Sequence, residues 1–317
     1  MHNIQNLTPD LIDRTGSALQ KVSVVFAPEY VFFVVLAILP VTVWLYIFLK
    51  HQREKPFLVF LSFIFGALTV VPVFVLQYEI LRIESWLGSL LSNLIFTIFI
   101  TAIWVGLYEE TVKHWVVKIV DRRIFRNIDD AIQFSIIVAL GFSFLENALY
   151  FHSIWGNPQI DNFWFYYLFR SIGSMFLHIL ASGIFGYYYG LAYFAKPVLQ
   201  HEIRAGRSFI FTRKLHQILH LKSVTVFREE KITEGLILAV FLHAGFDFCM
   251  SMSHNAVATN SIFAMRFWLI IVVPILITGY FYLTSLLDKK ENHKIYNHVE
   301  GFDLLDERTP ALSKTAE

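Results

Sequence analysis

Gly106-Leu107-Tyr108-Glu109-Glu110-Thr111-Val112-Lys113-His114-Trp115 sets four ionisable side chains near one end of an otherwise apolar run. The preceding residues, Trp86 to Leu107, are strongly hydrophobic, and no Gly or Pro interrupts the chain between Glu109 and Val120. The stretch therefore reads as the polar end of a membrane-spanning helix. A charge at such a depth must pair, face a water-filled cavity or neutralise, so it marks a functional site whose partners lie elsewhere in the chain.

Composition agrees with a membrane location. Of 317 residues 56% are hydrophobic, 17% aromatic and only 16% charged, where a soluble domain has about 25% charged residues. A net charge of +1 argues against a nucleic-acid partner; the bilayer is the expected surrounding. The single cysteine, Cys249, lies in an apolar segment, so no internal disulfide can form and the thiol reads as a small buried hydrophobe. No cleavable signal peptide is expected, because the first apolar run begins near Tyr30 and is long enough to span.

Seven runs approach the roughly 20 apolar residues that a bilayer crossing requires. They are expected at about Tyr30–Leu49, Phe57–Leu76, Leu91–Val120, Ala131–Phe151, Phe169–Phe194, Ile232–Met252 and Phe263–Leu287. Asp129 or Asp130 is the expected N-cap of the fourth. The fold class is thus an all-α polytopic bundle with a domain at 29–287. A polar, interfacial segment at 1–28 precedes it, a basic loop at 196–231 interrupts it, and a disordered tail at 288–317 follows. Lys and Arg crowd the turns after spans one, three, five and seven. By the positive-inside rule those turns, the basic loop and the C-terminus are cytoplasmic, and the N-terminus is outside.

Within the spans, a four-residue spacing recurs that sets two side chains on one helix face, one turn apart. It joins Glu109 to Lys113, Phe142 to Glu146, His178 to Ser182 and His243 to Asp247. Counted from Arg122 and Lys231 at about 1.5 Å per residue, Glu109 and His243 both lie roughly 18 to 20 Å along their helices, and His178 is midway along its own. Two carboxylates and two imidazoles at one depth suit hydrolysis. A carboxylate can take a proton from water, while imidazoles steady that water, donate to a developing oxyanion or protonate the leaving amine. Lys113 would keep at least one carboxylate ionised. Glu146 lies farther out, where it could orient Arg170 or Asn147. The other chemistry is a metal: His178, His243 and Glu109 would supply the two-His-one-carboxylate set of catalytic zinc sites, with Asp247 behind them. No His-Glu-x-x-His pair occurs, so no metal is the favoured expectation and zinc the alternative.

These patterns, in this order, carry a resemblance. Glu-Glu-x-x-Lys at 109–113, Gly-Phe-x-Phe-x-Glu-Asn-x-x-Tyr at 141–150, His-x-x-x-Ser-x-x-x-Gly at 178–186 and His-x-x-x-Asp at 243–247 are similar to the motifs of the PrsW family of intramembrane proteases. That family is related to the type II CAAX prenyl endopeptidases and the bacterial ABI proteins. The resemblance covers about residues 104–250. It implies a peptidase of the glutamic type, or one formerly assigned as metal-dependent, in a bacterial inner membrane, cutting a membrane-anchored protein such as an anti-sigma factor. It implies Glu109 and Glu110 as the paired catalytic carboxylates and His178 and His243 as the essential imidazoles. Lys113, Glu146, Asn147, Ser182 and Asp247 are supporting residues. The alternative is a non-catalytic membrane scaffold of the same superfamily. A degenerate scaffold would be expected to lose one Glu, and this chain keeps both. An ion or proton carrier would call for inverted repeats or broken helices, and the sequence shows neither.

The orientation is testable. Cysteines introduced near Arg53, Arg123, Arg213 and Lys290 are expected to react with thiol reagents from the cytoplasm, and ones near Asn157 and Asn255 from outside. Labelling of the Arg213 and Asn157 positions from the same side would contradict the seven-span topology.

Overall fold

The computed structural model describes residues 28–49, 56–74, 94–120, 125–155, 162–204, 222–258 and 262–292. Most of the expected N-terminal interfacial segment, the middle of the basic loop and most of the tail lie outside the described residues. The described residues are helical, with no strand among them. We number the helices α1 (Pro28–Leu49), α2 (Pro56–Leu68), α3 (Leu94–Val120), α4 (Ile128–Ile154), α5 (Phe163–Phe169), α6 (Met175–Tyr193), α7 (Ala195–Arg204), α8 (Ser223–Ala258) and α9 (Ile262–Asn292). A π-helical turn, Arg170–Ser174, joins α5 to α6.

Among the described residues, seven segments are long and apolar enough to cross a membrane: Tyr30–Phe48, Pro56–Phe74, Leu94–Ile119, Ile128–Ile154, Phe163–Tyr193, Ser223–Ser253 and Ile270–Asp288. The protein is a multi-pass membrane protein of the expected all-α class. Two of its spans form the interior. Over the most apolar stretch, 83% of α4 and 72% of the Phe163–Tyr193 span are buried inside the protein, against 22% for the first and last spans. Exposed Phe, Ile and Val side chains on the outer helices, such as Phe57, Val43, Ile277 and Phe281, form the surface that lipid would cover.

Small residues let the inner helices approach, since apolar side chains gain nothing by leaving lipid for one another. A Cβ on Gly66 of α2 would strike the Val138 carbonyl of α4, and one on Gly141 of α4 would strike the Phe63 carbonyl of α2. Likewise a Cβ on Gly186 of α6 would lie 2.7 Å from Ile132 Cα of α4. Helix α4 also packs against α1, and α8 packs against α6, α3 and α9. Because α3 touches both α8 and α4, the helices α3, α4, α6 and α8 close a ring. All four expected patterns lie on that ring.

Three boundaries differ from the sequence reading. Asn127, not Asp129 or Asp130, caps α4, its side chain accepting from Asp130 N–H at 2.9 Å. Asp130 Oδ2 turns back to accept from Arg126 N–H at 2.8 Å, which removes it from the capping position. The fifth span starts at Phe163 rather than Phe169, because the aromatic run Phe163-Trp164-Phe165-Tyr166-Tyr167 is itself helical, with Asn162 capping Phe165 N–H at 3.1 Å. The segment at 196–231 is helical at both ends. There α7 buries Ala195, Val198 and Leu199 in the same core as Phe227 at the start of α8.

Candidate active site

Helix α3 delivers Glu109, Glu110 and Lys113 into the ring. At Gly106 it runs so close to α8 that an added Cβ would lie 3.3 Å from Val240 O and 3.4 Å from Ala244 N. That approach brings the next turn of α3 level with His243. The depth match read from helical rise therefore holds, with His243 Nε2 lying 3.5 Å from Glu109 Oε2.

Lys113 stands at the centre. Its Nζ donates to Glu110 Oε1 at 2.9 Å and to Glu109 Oε2 at 3.5 Å, meets His178 Nδ1 at 3.0 Å, and lies over the Phe142 ring, 4.1 Å from its centroid. An ammonium has hydrogens to give and no lone pair, so His178 Nδ1 accepts and the ring proton sits on Nε2. There Glu146 Oε2 receives it at 3.2 Å. The same Oε2 pairs with Arg170 Nη2 at 2.8 Å, and Arg170 Nε donates to Asn147 Oδ1 at 2.7 Å. Glu146 thus binds both His178 and Arg170, and Asn147 reaches the cluster through Arg170.

His243 faces carboxylates on both edges. Nδ1 is 2.8 Å from Glu110 Oε1, and Nε2 is 3.5 Å from Glu109 Oε2 and 3.4 Å from Asp247 Oδ2. The two imidazole rings meet edge to face, 5.1 Å apart between centroids. Ser182 is buried one turn beyond His178 and joins none of these contacts. Eight of the nine residues singled out from the sequence therefore converge in one cluster, and Ser182 alone does not.

The cluster has an inner and an outer part. Side-chain exposure is 8% or less for Glu109, Glu110, Lys113, His178 and His243, but 25% for Glu146 and 30% for Asp247. Glu146, Arg170 and Asp247 are thus the members of the cluster nearest its surface. Sequence reasoning assigned no place here to Phe142, which packs against Lys113 as above and sets its ring centroid 5.4 Å from that of His178, and it named Arg170 only as something Glu146 could orient. A lone cation inside an apolar run was signal enough to give Arg170 a role.

The donor set suits a metal. Glu109, His178 and His243 each offer one ligand atom, and these atoms lie within 4.8 Å of one another. Two imidazoles and a carboxylate suit a catalytic zinc, and the Glu110 carboxylate on His243 Nδ1 is the kind of outer partner that orients a ligating imidazole. The three residues fit a divalent ion, with Lys113 at present on the His178 lone pair.

Fold and site together define a helical membrane protein with an acid–base centre buried between its spans. Comparison with known proteins places it more narrowly. A family model described as PrsW family intramembrane metalloprotease matches residues 54–216, a stretch that takes in the second span and the patterns from Glu109 to Gly186. Three relatives are named Protease PrsW. The protein from Geobacillus kaustophilus (strain HTA426) is 32% identical over 177 residues, covering 55% of this chain and 71% of the relative. That from Oceanobacillus iheyensis is 26% identical over 229 residues, 71% of this chain and 85% of the relative. The Shouchella clausii (strain KSM-K16) protein is 25% identical over 233 residues, 72% and 87% of the two chains. No solved structure matches significantly. The chain belongs to the PrsW family of intramembrane proteases and is a membrane-embedded peptidase.

Removing the central cation should be costly. Lys113→Met leaves Glu109 and Glu110 buried without their ammonium, and breaking a buried pair from one side costs about 3 to 5 kcal/mol. Unfolding in mixed micelles is expected to show that loss, and Glu110→Gln in the same chain is expected to recover part of it. Fully additive losses in the double variant would contradict the pairing.

Proposed function

We propose that this protein hydrolyses a peptide bond within or beside the membrane segment of an anchored protein, with Glu109 activating water. The observation that carries the choice of Glu109 is how differently the adjacent carboxylates are held. Glu110 Oε1 is gripped at 2.9 Å by Lys113 and at 2.8 Å by His243, whereas Glu109 Oε2 has only 3.5 Å contacts to those groups. A base must be free to take a proton from water within hydrogen-bond reach. Glu109 has that freedom, and Glu110 is the clamp that fixes Lys113 and His243.

The chain then supplies each step. Water enters past Asp247 and Glu146, and Glu109 takes its proton as the oxygen attacks the scissile carbonyl. The Lys113 ammonium, once its 3.5 Å hydrogen bond to Glu109 yields, and His243 Nε2 can donate to the oxyanion that forms. Proton return to the leaving amine falls to His243 or to the protonated Glu109. His178, held by Glu146 on one nitrogen and Lys113 on the other, orients the ammonium. Were an ion bound, Glu109, His178 and His243 would hold it, and it would supply a Lewis acid for the carbonyl.

The substrate class that suits an entry between spans is a single-span membrane protein, of the anti-sigma-factor kind that the sequence resemblance implies, in a bacterial inner membrane with the basic turns inward. The test is co-expression of the full chain with candidate single-span proteins. Wild type is expected to release a fragment that Glu109→Gln does not, and equal processing by the two would remove Glu109 from the mechanism. Zinc analysis of purified protein completes it. One ion per wild-type chain, lost in His243→Ala, would turn Glu109 from base to ligand and overturn the water-activating assignment.

A further inference from the structure

The Phe163–Tyr193 span carries one charge, Arg170, and the chain breaks helical register where that charge sits. In the π turn Arg170–Ser174, Met175 N–H donates to Arg170 O and Ile172 O. Ser171 O of the same turn accepts from Trp44 Nε1 of α1 at 3.3 Å. Single π turns of this kind cluster at functional sites because they re-aim a side chain that a regular helix would point elsewhere. Here the guanidinium lies over the Tyr150 ring, 4.2 Å from its centroid, and spans two successive residues of α4, Glu146 and Asn147. An Arg fork suits such a two-point grip, and a lysine point charge does not.

We propose that Arg170 is a positioning residue of the peptidase, acting on His178 through Glu146. One oxygen, Glu146 Oε2, takes both Arg170 Nη2 at 2.8 Å and His178 Nε2 at 3.2 Å. The guanidinium holds that oxygen where it receives the Nε2 proton, which fixes the tautomer of His178 and leaves Nδ1 as the acceptor that meets Lys113. Glu146 is a quarter exposed and His178 is 2% exposed, so the relay runs from the mouth of the site to its buried centre. Asn147 Nδ2, in turn, donates to Ser143 Oγ at 3.4 Å, which ties the grip to α4. Arg170 touches none of Glu109, Glu110 or Lys113 and has no part in bond-making.

The inference rests on the reading of His178 as an active-site imidazole. It is tested with full-length protein in vesicles, acting on a single-span protein that wild type cleaves. Arg170→Gln is expected to lower kcat by up to about 10- to 100-fold, the range that removing an outer-shell partner costs at imidazoles that ligate metals, with KM little changed. Arg170→Lys should retain part of the rate. In a Glu146→Gln background the Arg170→Gln change should cost nothing further, because the path it acts through is already cut. Independently of any substrate, nitrogen-15 spectra of His178 are expected to show the proton on Nε2 in wild type and a mixture of tautomers in Arg170→Gln. Wild-type kcat in Arg170→Gln, a change confined to KM, additive losses with Glu146→Gln, or an unaltered tautomer would each overturn the proposal. Should Arg170→Gln not accumulate, Arg170→Lys carries the same comparisons. Loss of cleavage in Glu109→Gln with full cleavage in the Arg170 variants sinks this inference alone, and cleavage by Glu109→Gln sinks the reading beneath it.

Discussion

A charge in hydrocarbon without a partner is among the least tolerable features a protein can carry, and the arrangement of this molecule follows from how Lys113 avoids it. The ammonium is met by two carboxylates from its own helix, an imidazole from α6 and an aromatic face from α4. Two of those partners are bound in turn, Glu110 by His243 and His178 by Glu146, which Arg170 holds. Four helices are tied at one level by polar contacts that lipid cannot replace. The same ties keep Glu109 loosely held inside a rigid frame, which is the combination a water-activating group requires.

Packing makes that level reachable. Polar side chains can meet across four spans only if the backbones come close, and small residues at the crossings permit it. Gly106 lets α3 approach α8 within a turn of Glu109 and Glu110, and Gly186 lets α6 lie on α4 two turns from His178. The outer helices α1, α2 and α9 add cover more than chemistry, although Trp44 of α1 reaches in to donate to the Ser171 carbonyl of the π turn.

Much of this was legible in the chain, and the reasons are specific. Apolar run length set the seven spans, and a four-residue spacing put Glu109 with Lys113 and His243 with Asp247 on shared faces. Helical rise alone placed Glu109 and His243 at one depth, and they are in contact. What the spacing could not supply is which atom meets which across helices. The difference between Glu109 and Glu110 depends on side-chain direction at adjacent positions, and nothing in Glu-Glu distinguishes them. The π turn was hidden for a similar reason: Arg170-Ser171-Ile172-Gly173-Ser174 has no local signature, and the side chains its residues meet, Trp44, Glu146 and Asn147, are all distant in sequence. Ser182 shows the converse error, since sharing a face with His178 does not bring a side chain into the cluster. The cap of α4 went to Asn127 because Asp130, equally suited by type, is held by Arg126.

The claim on which everything rests is that Lys113 is clamped by Glu110 inside the bundle. It can be measured directly in bilayers by the dipolar coupling between nitrogen-15 in the Lys113 side chain and carbon-13 in the Glu110 carboxyl. A strong coupling is expected, that of an ion pair at the 2.9 Å nitrogen–oxygen contact, and it should disappear in Glu110→Gln protein. A Lys113 nitrogen with no coupling to Glu110 would contradict it, because the ammonium would then lie outside the chamber and the ring of polar contacts would have no centre.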